Sequence, residues 1–408
     1  MKKPPIPITR TNINRVFKFT DEVVENYPDR LAGTEACRQA ADRIKQEFTK
    51  YCDRSSVQIE DFEVHPRSFL KYIPALVVMY FIGAVLLYFG KPLPAFVILG
   101  LAIFMFYAQF ARYWEIIDPY FPKATGYNII GSIEPEGEVK QQIVVSGHHD
   151  AAYVFQLLTY IPKYYAMLIN AGILVLIIAF LVSLAALVLA LVHVIFPTWI
   201  AIVLMALGIF QIPLAFFTTR EVSPAAGDNM VAVAVAAETA GIFRKSKKPL
   251  RHTRLIFASF DAEEAGLRGA RDYCRKHGRE LLDTKTYVFN IDTLYKLEDL
   301  HFLTRDLNGS VKLSLPMAQD CVDIAAGLGY KAGTAVMPFG AGATDAAEFG
   351  KLGVEATNMA GISFDIKKFN ADMVYHTPDD FSAYIEPALV EASLKIITSY
   401  ILQKDNQV

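Results

Sequence analysis

Between Tyr164 and Thr219 the chain runs for 56 residues without a single Lys, Arg, Asp or Glu. An α-helix rises about 1.5 Å per residue, so roughly 20 apolar residues cross the hydrocarbon core of a bilayer. The stretch is long enough to cross twice, and His193 and Pro197 mark where it turns. Two spans are expected, roughly Tyr164–Val192 and Phe196–Phe217. An earlier pair is shorter: 19 uncharged residues separate Lys71 from Lys91, and Ala95 to Ala111 runs uncharged up to Arg112. Buried helices of a water-soluble core that long carry a polar stripe, and the 56-residue stretch has none. Tyr72, Tyr164, Tyr165 and Trp199 lie near span ends, where interfacial aromatics gather. The expectation is four transmembrane helices in two hairpins, with the lipid bilayer as a partner.

Composition fits a mixture. Of 408 residues 53% are hydrophobic, yet 20% are charged, too many for a pure membrane bundle. A net charge of -2 offers no basic face for nucleic acid, so no nucleic-acid partner is expected. Cys37, Cys52, Cys274 and Cys321 are scattered without paired spacing, which argues against a disulfide framework and for a reducing compartment. The start of the chain, through Pro4-Pro5-Ile6-Pro7, lacks the apolar core of a secretory signal.

Outside the hairpins, apolar strands alternate with amphipathic helices. Helices are expected at Thr34–Tyr51, Met230–Phe243 and Glu386–Leu402. Strands are expected at Ser56–His65, Tyr127–Ile133, Gln142–Ser146, Arg254–Phe260 and Thr286–Ile291. That pattern predicts an α/β fold, a three-layer sandwich around a mixed, mainly parallel sheet. The organisation is then one α/β domain in three parts, 1–68, 113–162 and 219–408, interrupted by hairpins at 69–112 and 163–218.

Five polar clusters sit at the edges of these elements: Gly147-His148-His149-Asp150, Gly227-Asp228-Asn229, Asp261-Ala262-Glu263-Glu264, Asn290-Ile291-Asp292 and Tyr375-His376-Thr377-Pro378-Asp379-Asp380. Three follow strands, and open α/β sheets bind ligands at the carboxyl ends of their strands. Histidines with carboxylates suit zinc, and one carboxylate can bridge two ions ~3.5–4 Å apart. Each cluster alone is weak, because paired Glu is usually a solvated turn. On a strand only one of His148 and His149 can face the site.

In order and context the five resemble the co-catalytic di-zinc aminopeptidase family, whose relatives include glutamate carboxypeptidase and glutaminyl cyclase. The family pattern falls on His148 with Asp150, Asp228, Glu263 with Glu264, Asp292 and His376. The resemblance implies two Zn²⁺ per chain, bridged by Asp228. His148 and Asp292 would hold one, and Glu264 and His376 the other. Glu263 would be the general base, and Asp150 would orient His148. Arg30-Leu31-Ala32-Gly33-Thr34 and Ala343-Thr344-Asp345-Ala346 resemble family segments less specifically. The departure is the pair of hairpins, one of which separates the first ligand from the bridging Asp.

The implied activity is that of a membrane-bound aminopeptidase on short peptide substrates. The rivals are a single-zinc glutaminyl cyclase and a non-catalytic membrane scaffold or receptor. Far-side turns near Gly90–Pro94 and His193–Pro197 carry one lysine between them. The domain-side flanks carry Arg67, Lys71, Arg112, Lys123, Lys163 and Arg220. Short-loop positive charge marks the cytoplasmic face, so a multi-pass protein of the cell membrane is expected, with its catalytic domain and both termini in the cytoplasm.

Overall fold

The computed structural model describes residues 4–246, 249–365 and 373–408. Eleven strands form: β1 (Gln58–Val64), β2 (Ala124–Ile133), β3 (Gln141–His148), β4 (Tyr153–Phe155), β5 (Thr218–Val222), β6 (Thr253–Phe260), β7 (Lys285–Leu294), β8 (Leu300–Asp306), β9 (Val311–Lys312), β10 (Gly333–Val336) and β11 (Glu355–Gly361). Nine make one sheet in the order β1-β2-β6-β3-β7-β11-β8-β10, with β9 beside β8. The sheet is mixed. Its central strands β6, β3, β7 and β11 are parallel, and antiparallel pairs flank them.

Strand β3 shows why. Ile143, Val144 and Val145 are fully buried, as expected for a strand covered on both faces. Helices Arg10–Asn26, Glu35–Thr49, Val231–Arg244 and Pro387–Asp405 pack on one face. Helices Arg268–Asp283 and Ala346–Leu352 cover the other. Helix Glu35–Thr49 buries Cys37, Ala40, Ala41, Ile44 and Phe48, a 3.6-residue stripe, and is capped by Thr34 accepting from the Cys37 amide at 3.2 Å. This is the expected three-layer sandwich.

Among the described residues four helices are long and apolar enough to cross a membrane: Ser68–Tyr88, Pro92–Ala111, Pro162–Leu191 and Thr198–Phe216. The fourth departs from the unbroken span expected. It is α-helical only over Thr198–Leu207 and continues to Phe216 in tight 3₁₀ turns. Pro213 removes a backbone donor there. Gly208 sits against Phe81, whose ring lies 2.4 Å from where a Cβ would be. The hairpins pack together around Tyr72, Leu76, Tyr80, Leu99, Val175 and Leu204. The second hairpin leaves the domain after β4 and returns as β5, and these two strands pair antiparallel into a neck.

Candidate metal centre

Neighbouring parallel strands place their ends side by side, and three of the five clusters follow from that alone. β3 ends at His148, β6 ends one residue before Asp261, and β7 carries Asp292 two residues before its end at Leu294. Asp228 arrives on the loop that opens helix Val231–Arg244, and His376 on the segment before the closing helix. The structure brings six of the seven predicted side chains, His148, Asp228, Glu263, Glu264, Asp292 and His376, to one spot at the sheet edge, with the seventh, Asp150, beside His148.

His148 Nε2 lies 3.3 Å from Asp228 Oδ1 and 3.9 Å from Asp292 Oδ1. His376 Nε2 lies 2.9 Å from both Asp228 Oδ2 and Glu264 Oε1. Two ligand trios result, His148–Asp228–Asp292 and Asp228–Glu264–His376, each with donor atoms within 4.8 Å of one another. Asp228 belongs to both. A third grouping, His148–Glu263–Glu264, also falls within that distance. Glu263 Oε2 stands 3.9 Å from His148 Nε2.

The donor set fits zinc on two counts. His148 Nε2 is buried without a hydrogen-bond partner, and three buried carboxylates and the half-buried Glu264 crowd two imidazoles. Burial pushes Asp292 up to about 8, with Asp228 and Glu264 adding repulsion, and it pushes Glu263 well above the carboxylate range. Burial opposes charge on His376, but Glu264 and Asp228 outweigh it and hold the imidazole up at about 10. Such acids are costly to bury without cations among them. Imidazole nitrogens and carboxylate oxygens are the ligands zinc takes.

The surrounding chain fixes these groups. Asp150 accepts the amides of Glu263 and Glu264, both at 3.1 Å, and its Oδ1 lies 3.3 Å from His148 Nδ1. One carboxylate therefore orients His148 and pins the Glu-Glu turn. The sequence reading gave no role to Asp380, which accepts the amides of Gly227 at 2.9 Å and Asp228 at 3.2 Å. Its signal was its place in the Asp379-Asp380 pair just after His376. Asn229 reaches the Ile291 carbonyl at 2.8 Å and accepts from the Thr293 amide at 3.3 Å, tying the Asp228 loop to β7. Ala225, Ala262, Thr293 and His376 all have left-handed backbone, with φ from 52° to 62°. Such strain collects where side chains must be aimed.

Two quoted segments act from beneath. Arg30 is buried and donates to the carbonyls of Tyr27, His149, Pro224 and Ala225, joining the first ligand strand to the Asp228 loop. Asp345 is buried, its two carboxylate oxygens have no hydrogen-bond partner, and burial pushes its pKa well up. His149 points to the opposite side from His148, with Nδ1 2.9 Å from Ser259 Oγ. There it joins a separate buried trio with Cys37 and Asp261. Cys37 donates to Asp261 at 3.3 Å, and Asp261 also accepts the Tyr127 and Ala262 amides.

The neck of the second apolar hairpin touches the site. The amide of Phe155, on β4, donates to the His376 carbonyl at 2.9 Å, and the Phe155 ring packs edge-on against the His376 imidazole at 4.1 Å. A cavity of about 220 Å³ runs from the carboxylate cluster in between the apolar helices.

Comparison with known proteins agrees with this geometry. A sequence model of Peptidase family M28 matches residues 214–401. A search of curated proteins finds no match. Among solved structures, the zinc aminopeptidase BSAP from Bacillus subtilis superposes with TM-score 0.58 at 14% identity, covering 99% of this chain and 96% of that one. Glutaminyl cyclase from Porphyromonas gingivalis gives TM-score 0.57 at 14% identity over 97% and 98%. LapA aminopeptidase from Legionella pneumophila gives 0.53 at 12% over 99% and 77%. At such identities these likenesses report fold, and they reach the part of the chain before residue 214 that the family model does not. The chain is thus similar to peptidase family M28 in sequence over residues 214–401, and it shares the fold of the zinc aminopeptidases and glutaminyl cyclases over almost its whole length.

Proposed function

We propose that the chain is a membrane-embedded zinc-dependent aminopeptidase that hydrolyses short peptides. The observation that carries this reading is the pair of ligand trios sharing Asp228. His148 and Asp292 would hold one zinc ion, Glu264 and His376 the other, with Asp228 between them. Zinc there supplies Lewis acidity toward a scissile carbonyl and lowers the pKa of water toward neutrality. A single-zinc cyclase, the closest rival, would leave one complete trio without use.

The chain's own residues do the rest. Glu263 stands outside both trios that share Asp228, faces the cavity and lies 3.9 Å from His148 Nε2. It takes the proton of the attacking water and returns it to the leaving amine as the C–N bond breaks and the C–O bond forms. Asp150 keeps His148 and the Glu263–Glu264 turn in register through that exchange. The four apolar helices would hold the domain against the bilayer, and the cationic flanks support a cytoplasmic side for it.

The test is Glu263→Gln, which keeps size and hydrogen bonding but removes the base. kcat should fall at least ~10²-fold with zinc content unchanged. Loss of zinc instead would exchange the roles of Glu263 and Glu264.

A further inference from the structure

The cavity at the metal centre is not the slot that a single amino-acid side chain needs. Its inner end is acidic, where Asp228, Glu263, Glu264 and Asp292 face it. From there its wall is mainly apolar and is built by the hairpins together with domain residues such as Met337, Ile362 and Phe364. It is lined along the first hairpin from Phe69 to Val77 and along the second from Tyr165 to Leu176. The second segment lies on one continuous helix, Pro162–Leu191, so its 11-residue separation corresponds to ~16 Å along the axis. That is beyond the reach of any amino-acid side chain. The far wall, Leu76 and Leu176, belongs to the inner packing of the four apolar helices. On the other side of Glu264 lies a second cavity of about 350 Å³, which shares Leu70 and Glu264 with the first. Its wall is of a different kind, with Arg67, Lys71, Lys123 and Asp150 among its residues.

A scissile amide at the carboxylate cluster thus has an apolar channel on one side and a polar, cation-bearing chamber on the other. We infer that the substrate is an amphiphile: an amide whose acyl side carries a long alkyl chain, held between the hairpin helices, and whose amine side is an amino acid or short peptide. This rests on the hydrolase reading above and deepens it. It gives the inserted helices a part in recognition, since they supply a large part of the channel's apolar wall. Apolar surface drives the fit, and each methylene withdrawn from water contributes about three- to fourfold in affinity.

The experiment uses the zinc-loaded full chain in nanodiscs, which avoids competition from alkyl detergents. Two substrate series are compared, N-acylglycines and 2-aminoacylglycines, each from four to fourteen acyl carbons. In at least one series kcat/KM should climb about threefold per methylene well past the length of leucine. Which series climbs decides whether the free α-amine is required. A flat or falling profile beyond leucine overturns the inference. Leu76→Trp and Leu176→Trp, which shorten the channel at two separate points, should each move the optimum to shorter chains. An optimum unmoved in both folded variants also overturns it. Binding of N-dodecanoylglycine to the Glu263→Gln protein is the readout independent of turnover. Binding without cleavage of any amide by the wild type would leave the channel standing and remove the hydrolase reading. Cleavage of short amides without dodecanoyl binding would do the reverse.

Discussion

The hairpins and the α/β domain bury their residues in opposite senses. In the domain the large side chains are inside: Phe257, Phe289, Phe302 and Ile44 are fully buried around the sheet. In the hairpins the fully buried residues include Ala84, Ala95, Ala102, Ala179, Ala186 and Ala201. Large ones such as Leu174, Leu191, Ile195 and Trp199 stand outward. In water the largest apolar surfaces gain most from leaving solvent. In lipid that gain is absent, and small residues that let helices approach decide the packing. The chain carries both packing patterns, and the candidate metal centre lies where they meet.

The largest effect that can break this comparison is all-or-none. In a chain stripped of its four cysteines, single cysteines at Leu93 and Glu138 report the two sides. Both positions are exposed, whereas nearby Gln141 is buried in β3 and would report nothing. A membrane-impermeant thiol reagent applied to intact cells should label Leu93→Cys and spare Glu138→Cys. Labelling of the second alone inverts the topology, and labelling of both removes the membrane.

A matched pair of leucines gives the next effect. Leu174 and Leu282 are each 56% exposed. If Leu174 faces lipid and Leu282 faces water, Leu174→Lys should cost ~3 kcal/mol in insertion or stability, as for Lys at a helix centre. Leu282→Lys should stay within about 0.5 kcal/mol, as for a surface change. Equal effects in reconstituted protein would mean that the two faces meet the same solvent.

The smallest effect compares buried polar groups. Arg30 holds four carbonyls under the site, and Arg30→Met leaves them unsatisfied, costing about 1–3 kcal/mol and loosening the Asp228 loop. Gln211 donates to the Gly172 carbonyl inside the hairpin bundle at 2.5 Å, and Gln211→Leu should cost about 0.6 kcal/mol, nearer the membrane average. Chemical denaturation of the reconstituted variants measures both. A larger loss at Gln211 than at Arg30 reverses the expected order.

Much of this was legible in the sequence, for identifiable reasons. Charge-free length exposed the hairpins, and strands covered on both faces read as short apolar runs. The strand ends at His148 and Asp292 then placed the site. The helix Arg268–Asp283 went unread because its buried face rests on Ala270, Tyr273 and Leu281 amid charged residues. The break in the fourth span depends on Gly208 meeting Phe81 from the first hairpin, a contact far away in sequence. Asp380 and Arg30 were visible as residues but not as braces. Their partners are backbone groups brought near only by the fold.

The central claim is that two metal-holding trios share Asp228, and zinc per chain tests it most directly. Full-length protein purified in mild detergent without chelator should contain close to two zinc ions by elemental mass spectrometry. His148→Ala should fall toward one, with most activity gone, and His149→Ala should keep both, because its imidazole faces Ser259. A wild-type count near one would favour the cyclase reading, and zinc-free protein with intact fold, or loss of metal on His149→Ala alone, would contradict the account.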